Sequence, residues 1–580
     1  MTKSLSRRIL LGASALAIGT AAYVGITRTT TAVTEVHAAA ANDPAQAGKS
    51  DHTMFGGTSD RNMVNSADKG LKFPTEFHID DPAWVKEWLL WRGELGSRAY
   101  GGPIIAGGKV FVGTNNDRPR NPRDVIKPKK AGDEAEPMDK GVLYCFDEKS
   151  GKFLWQAIHD KLPSGQVNDW PREGICSTPL VEGNRVYYVS NRCTVVCADV
   201  DGMANGNDGV QTEKYKEPTD VDIIWEYDMM KELNVFPHNM SACSPLLAGD
   251  IMFIVTANGV DEGHINIPSP EAPSYIAIDK NSGKLLWKNS SPGTKIMHGQ
   301  WSNAVYAVIN GVRQVIFPGG DGWLRSYVPE TGEEIWKFDC NPKDSIYELG
   351  GTGTRNDFIG TPVVHDGLVY IGVGQDPEHT TGIAHFWCID PTKKGDISPT
   401  LAAGEKDGKV ESKPNPNSCV KWHYGGEETR KWAQREFKFG RTMSSACIID
   451  DICYIAELAG YLHCINAKTG EHYWQFDTKG SIWGSAYYVD GKILLATDSG
   501  DLFTFKHDKN PKKIDEVEAA KDAKDMREAR KLRLAKQKEV EEAYLISKAE
   551  FDSPIRSTAV VANGVLYVMT EKTLYALKAK

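Results

Sequence analysis

One phrase recurs along the 580-residue chain and constrains its fold more than any other feature. An apolar run ends in a turn, Gly stands four positions after the turn's first residue, and Trp stands eight after it. Asp147, Gly151 and Trp155 set the pattern, and Asp279, Gly283 and Trp287 repeat it. Val328, Gly332 and Trp336 keep the register, as do Asn466, Gly470 and Trp474; two more copies, Asp199 to Trp225 and Asp390 to Trp422, carry insertions within the turn. Each copy is preceded by a second phrase: a small-residue start, an apolar run, a short turn and another apolar run. Thr361-Pro362-Val363-Val364 followed by Leu368-Val369-Tyr370-Ile371 is one example. Turns such as Glu182-Gly183-Asn184 and Ala562-Asn563-Gly564 are hairpin chemistry, because Gly and Asn tolerate positive φ. Each unit therefore reads as four antiparallel strands, A to D, with the Trp on strand D.

Strand A starts recur near Gly102, Thr178, Ser244, Asn303, Thr361, Ser445, Ser485 and Thr558, which makes eight units. The eighth reaches only strand C, Thr573–Leu577. Its fourth strand is expected from the N-terminal side, where Glu87-Trp88-Leu89-Leu90-Trp91-Arg92 resembles the other Trp strands. That exchange closes a ring without an open sheet edge. The fold class is thus an all-β, eight-bladed β-propeller over 86–580. The tryptophans at 91, 155, 225, 287, 336, 422 and 474 are read as packing between blades. The seventh unit lacks the Trp and takes Tyr544-Leu545-Ile546 as strand D. Its charged insertion, 512–543, can be supported by i, i+4 charge pairs and is expected to be a solvated surface helix rather than a docking element.

Residues 1–40 read as an export address. Ser6-Arg7-Arg8-Ile9-Leu10-Leu11 precedes the uncharged, Ala- and Gly-rich stretch Ile9–Ile26, and Ala38-Ala39-Ala40 offers a cleavage site, which together resemble a twin-arginine signal. Membrane contact is expected only if that segment is uncleaved, and 41–85 reads as an N-terminal extension. The net charge of −9 disfavours a nucleic-acid partner. Eleven Cys leave at least one thiol unpaired; most sit inside strand-like runs, as buried apolar thiols do. There is no C-x-x-C-H haem attachment site and no vicinal Cys pair.

The Asp-x-x-Ser/Thr-Gly-x-x-x-Trp turn, repeated on this scale, resembles the tryptophan-docking signature of the PQQ-like propellers. That superfamily includes quinoprotein alcohol dehydrogenases and an outer-membrane assembly lipoprotein; the residue set also looks like exported propellers of planctomycete-type bacteria. The resemblance covers about 86–580. It implies that D-to-A and B-to-C loops share one face and that the D-to-A loops converge on the central channel. Those loops carry Arg98 and Tyr100; Trp170, Arg172 and Glu173; His238 and Asn239; His298, Gln300 and Trp301; Arg355, Asn356 and Asp357; Arg441; Trp483; and Arg556. Five arginines in an acidic protein suggest a funnel for an anion, with Trp faces for a planar group.

The family's enzymes hold PQQ over a Trp, with Ca²⁺ on Glu and Asn, a catalytic Asp and usually a vicinal disulfide. Glu173 and Asn239 could supply the Ca²⁺ ligands. The fourth loop, Lys295 to Trp301, has no Asp, so the proton acceptor of alcohol oxidation is missing unless His298 replaces it. The first expectation is therefore a non-catalytic, monomeric binding or scaffold propeller for an anionic small molecule or an envelope protein. The alternative is a PQQ-dependent oxidoreductase with altered site residues, PQQ with Ca²⁺ being its cofactors. No metal site is assigned. Asp199–Asp208 reads as an Asx-turn loop, and Asp261-Glu262-Gly263-His264 and Asp376-Pro377-Glu378-His379 as His–carboxylate pairs.

Overall fold

A computed structural model describes residues 50–127, 135–349, 353–375, 382–406 and 409–580. The twin-arginine segment and Asp376–His379 lie outside them. Eight sheets follow one another in sequence, each with a short inner strand A and an outer strand D. In blade 1, Ile104–Ala106, Lys109–Asn115, Lys140–Asp147 and Phe153–Asp160 run A to D. The eighth blade, Val560–Ala562, Val565–Met569 and Thr573–Lys578, takes Leu89–Glu94 as strand D, paired antiparallel from Leu89↔Leu577 to Glu94↔Thr573. The expected closure by an N-terminal strand is what the sheet order has.

Register explains the Trp repeat. In seven blades a strand-D Trp stands opposite a small residue of strand C: Cys145↔Trp155, Cys197↔Trp225, Ala277↔Trp287, Ser326↔Trp336, Cys388↔Trp422, Cys464↔Trp474 and Ala576↔Trp91. A register shift, the mark of a bulge, occurs beside each of these pairs. In five of these the indole N–H then reaches the C–D turn of the next blade, whereas Trp336 donates to Gln314 Oε1 of its own blade (2.7 Å). Trp91 Nε1 donates to the Glu148 carbonyl (2.7 Å), Trp155 to Val200 (2.9 Å), Trp225 to Lys280 (2.9 Å), Trp287 to Pro329 (2.8 Å) and Trp422 to Ala467 (2.8 Å). The turn glycine is required by this approach: Gly283 has φ +69°, and a Cβ there would lie 2.6 Å from the Trp225 ring. Four of the cysteines thus serve as small apolar partners of a Trp, and all eleven are buried thiols.

The small residues that start strand A build a second ring. Thr178 N–H donates to Ser244 Oγ (3.1 Å), Ser244 N–H to Asn303 Oδ1 (2.5 Å), Ser445 N–H to Ser485 Oγ (2.9 Å) and Ser485 N–H to Thr558 Oγ1 (2.9 Å). Asn303 Nδ2 continues it to Thr361 Oγ1 (2.9 Å). Blades 3, 4, 7 and 8 so satisfy a backbone donor of the preceding blade near the channel.

Residues 50–65, read only as extension, strap the inner strands together. His52 pairs with Ile105, the Thr53 carbonyl accepts from Val181 N, the Ser59 carbonyl from Tyr306 N, the Asp60 carbonyl from Val364 N and the Met63 carbonyl from Tyr488 N. Val64–Asn65 adds a short parallel strand inside blade 7. Arg61 is fully buried and donates to the carbonyls of Phe55, Ala304, Ser244 and Pro245. One guanidinium thereby ties strand A starts of blades 3 and 4.

The charged insertion departs from expectation. Its helices, Glu516–Ala519 and Met526–Tyr544, dock against the outer side of blade 6 rather than standing in solvent. Ala529, Val540 and Tyr544 are buried, and Tyr544 stacks on Trp474 at 4.9 Å, where blade 7 has no Gly-containing turn to receive the indole. Asp515 pairs with Arg430 (2.6 Å), and Glu516 accepts from Gln475 (2.6 Å). The apolar face is narrow, three residues over four turns, which is why the charge pattern hides it.

Candidate functional site

The loop face holds two separate groupings of the expected residues. The first is polar and aromatic, built from blades 7, 8, 1 and 2. Arg98 Nη1 donates to Glu571 Oε1 (2.9 Å) and its Nε lies 3.9 Å from Glu173 Oε1. Arg556 also bonds Glu571, and its guanidinium lies over the rings of Tyr100 (5.5 Å) and Trp483 (5.4 Å), which are 5.9 Å apart. The Glu173 carboxyl is pushed up from its usual range by burial, against the opposing pull of Tyr100 and Arg98. Three buried polar atoms here have no hydrogen-bond partner among the described residues: Glu173 Oε2, Trp483 Nε1 and Arg556 Nε. Buried polar atoms in such a state call for water or a ligand. Arg172 stands exposed beside them in sequence, its N–H donating to Asp139 Oδ2 (2.9 Å).

Glu571 was invisible to a survey of D-to-A loops because it sits in the B-to-C loop of blade 8. It matters because it neutralises the cations thought to need an external anion. Arg355 is likewise engaged: Nη2 donates to Asp339 Oδ1 (2.7 Å), Nε to the Asp321 carbonyl (2.8 Å) and Nη1 to Ser345 Oγ (3.1 Å). So three of the five arginines meet carboxylates of the chain itself. Arg441 is half-buried, and its carbonyl accepts from Leu458 N (2.9 Å). Asp357 is buried and bridges Gly374 through the backbone.

The second grouping is imidazole-rich and comes from blades 3 and 4. His238 and His298, on successive D-to-A loops, meet His264 from the B-to-C loop between them. His238 Nε2 lies 3.1 Å and His298 Nε2 3.2 Å from His264 Nε2. Trp301 packs edge-on against His298 (5.0 Å), and its Nε1 donates to the carbonyls of His238 and Met240 (3.2 Å each). Asn239, next to His238 at φ +60°, has its carbonyl bound by Trp170 N (2.7 Å). Asp261 does not pair with His264 as the sequence suggested: its carboxylate accepts from the backbone of Ile265 and Asn266 and from Asn266 Nδ2 (2.7 Å), holding the loop. The Asp199 loop is also closed on itself, with Asp199 bonded to Asp201 N, Asn205 and Arg185.

Glu173 faces Arg98 and Tyr100, and His298 faces two other imidazoles.

Residues 139–396 match the family model PQQ_2, described as outer membrane protein assembly factor BamB. No curated protein matches the sequence. Solved structures similar to the chain include BamB from Moraxella catarrhalis, at 14% identity over 76% of this chain and 91% of that one, with a TM-score of 0.43. Quinohemoprotein alcohol dehydrogenase from Comamonas testosteroni matches at 11% identity over 79% and 77%, TM-score 0.38. The ADHIIG enzyme from Pseudomonas putida HK5 matches at 11% identity over 91% and 80%, TM-score 0.44.

Proposed function

We propose that this chain, a PQQ-like eight-bladed β-propeller, acts as an exported, non-catalytic binding or scaffold protein that receives a carboxylate-bearing ligand or partner segment on its loop face. The observation that carries the reading is the trio of unsatisfied atoms around Tyr100 and Trp483. Arg98 and Arg556 match Glu173 and Glu571 in charge, and the exposed Arg172 next to Glu173 in sequence tips the neighbourhood toward an anion, so the complement is taken as a single carboxylate with a planar group against the aromatic rings. The fully cationic ring inferred from sequence is thereby reduced to a local, nearly balanced cluster. Export is supported by the twin-arginine start and by the matched family's outer-membrane description. The alternative, PQQ-dependent oxidation, has no Asp on the fourth loop and would have to use His298 as its proton acceptor.

The test is a fluorescence titration of the protein with phenylacetate, a small aromatic carboxylate. Saturable quenching that weakens at least tenfold in Arg98→Gln/Arg556→Gln, with the melting temperature little changed, is expected. Saturable quenching of equal strength in the double variant, or none in the parent protein, overturns this placement of the binding site.

A further inference from the structure

The three imidazoles of the second grouping each bring one ligand nitrogen within 4.8 Å of the others. Their ring centroids lie 4.4, 4.6 and 4.8 Å apart, at steep mutual angles, so the rings converge rather than stack. The converging atoms are the three Nε2 nitrogens, with two edges of 3.1 and 3.2 Å. A cation at 2.0–2.1 Å from each nitrogen in tetrahedral geometry needs nitrogen–nitrogen edges of roughly 3.3 Å. Two of the three edges are close to that length, and the ligand atoms of all three rings lie within 4.8 Å of one another.

The tautomer fits as well. His238 Nδ1 lies 2.9 Å from the Val260 carbonyl, which can only accept, so Nδ1 carries the proton and Nε2 of the neutral ring offers its lone pair to the centre. A ligating histidine held through its second nitrogen by a backbone carbonyl is the usual support for a bound metal.

The surrounding backbone is shaped for the same convergence. His238 and His298 are buried, while His264 is half-buried at the rim on a left-handed residue, φ +54°. Gly259 brings the two buried histidines together: a Cβ there would fall 2.6 Å from His238 Cβ and 2.7 Å from the His298 carbonyl oxygen. Gly299 does the same for Trp301, whose ring would be 2.3 Å from an added Cβ.

We infer that His238, His264 and His298 form a binding site for a divalent first-row transition cation, Zn²⁺ by ligand preference, at the loop face between blades 3 and 4. Imidazole ligands suit Zn²⁺ over Ca²⁺ or Mg²⁺, which take oxygen. The site is distinct from the carboxylate cluster and uses none of its residues. It is also distinct in chemistry from a Ca²⁺ site built on Glu and Asn.

Full-length protein, stripped with chelator and dialysed, is titrated with Zn²⁺ against a chromophoric competitor and separately with Co²⁺. One equivalent should bind, Co²⁺ should give the intense visible bands of four-coordinate cobalt, and X-ray absorption should count three imidazole nitrogens. His264→Gln, at the half-exposed rim, should fold normally and bind at least 100-fold more weakly, while His78→Gln, an exposed histidine elsewhere, should bind as the parent does. If His264→Gln fails to fold, the absorption spectrum of the parent protein still decides. Binding unchanged in His264→Gln, fewer than three imidazoles in the spectrum, or no stoichiometric binding to the parent protein overturns the inference.

Discussion

At the residue scale, the chain spends its histidines unusually. Besides the three at the loop face, His52 and His385 are buried at 7% exposure, and burial drives both down to about 4; His159 is held at about 4 for the same reason. In the unfolded chain these imidazoles titrate near 6.5. Between those values the unfolded state binds more protons, so stability rises with pH across the window. The contribution is fully present above about pH 6.5 and is lost as pH falls toward 4. Each residue removes at most about 1.4 kcal/mol per pH unit. Melting temperature followed from pH 7 to 4 should fall steeply, and His385→Phe, which keeps the ring volume without the charge, should flatten part of that slope. A melting temperature constant down to pH 4 would contradict the burial assigned to these rings. The site residues themselves were half legible. Trp483, Arg556, Arg98 and Glu173 were found because D-to-A loops can be counted from the repeat. Glu571 was missed because it lies on the other loop set, and His264 was noticed only as a neighbour of Asp261. No sequence period connects His264 with His238 and His298; only the closure of the ring does.

At the element scale, the repeat told the truth wherever spacing is enforced by a physical contact. Gly151, Gly283 and Gly470 recur because an indole from the previous blade occupies the space of a side chain. The closing strand, Leu89–Glu94, was legible because Trp91 obeys the same rule. The strap of residues 50–65 was not, since it meets the blades mainly through backbone carbonyls and one guanidinium, which leave no apolar pattern. The inserted helix was misjudged for a related reason: three apolar positions among many charges look like a solvated face. Its docking gives a direct test. Tyr544→Ala should leave the Trp474 ring uncovered and cost about 3 kcal/mol in denaturant unfolding, with loss of the helical signal near 512–543 in hydrogen exchange. A change under about 0.5 kcal/mol would mean that the stack carries no weight.

At the scale of the whole molecule, the eight blades form one closed ring whose loops bring distant residues together, such as Arg98 and Glu571 or His238 and His298. The fold alone is shared by enzymes and scaffolds, so function rests on the site. Here the loop face offers an Arg–Glu–aromatic cluster and a group of three imidazoles. The most direct test of the binding account is reconstitution of the full-length protein with PQQ and Ca²⁺, followed by assay of artificial electron-acceptor reduction with primary alcohols. The account predicts no turnover above the protein-free control, and any PQQ association to be independent of Ca²⁺ and weakened in Arg98→Gln/Arg556→Gln. Calcium-dependent PQQ binding accompanied by alcohol-dependent reduction of the acceptor would contradict it.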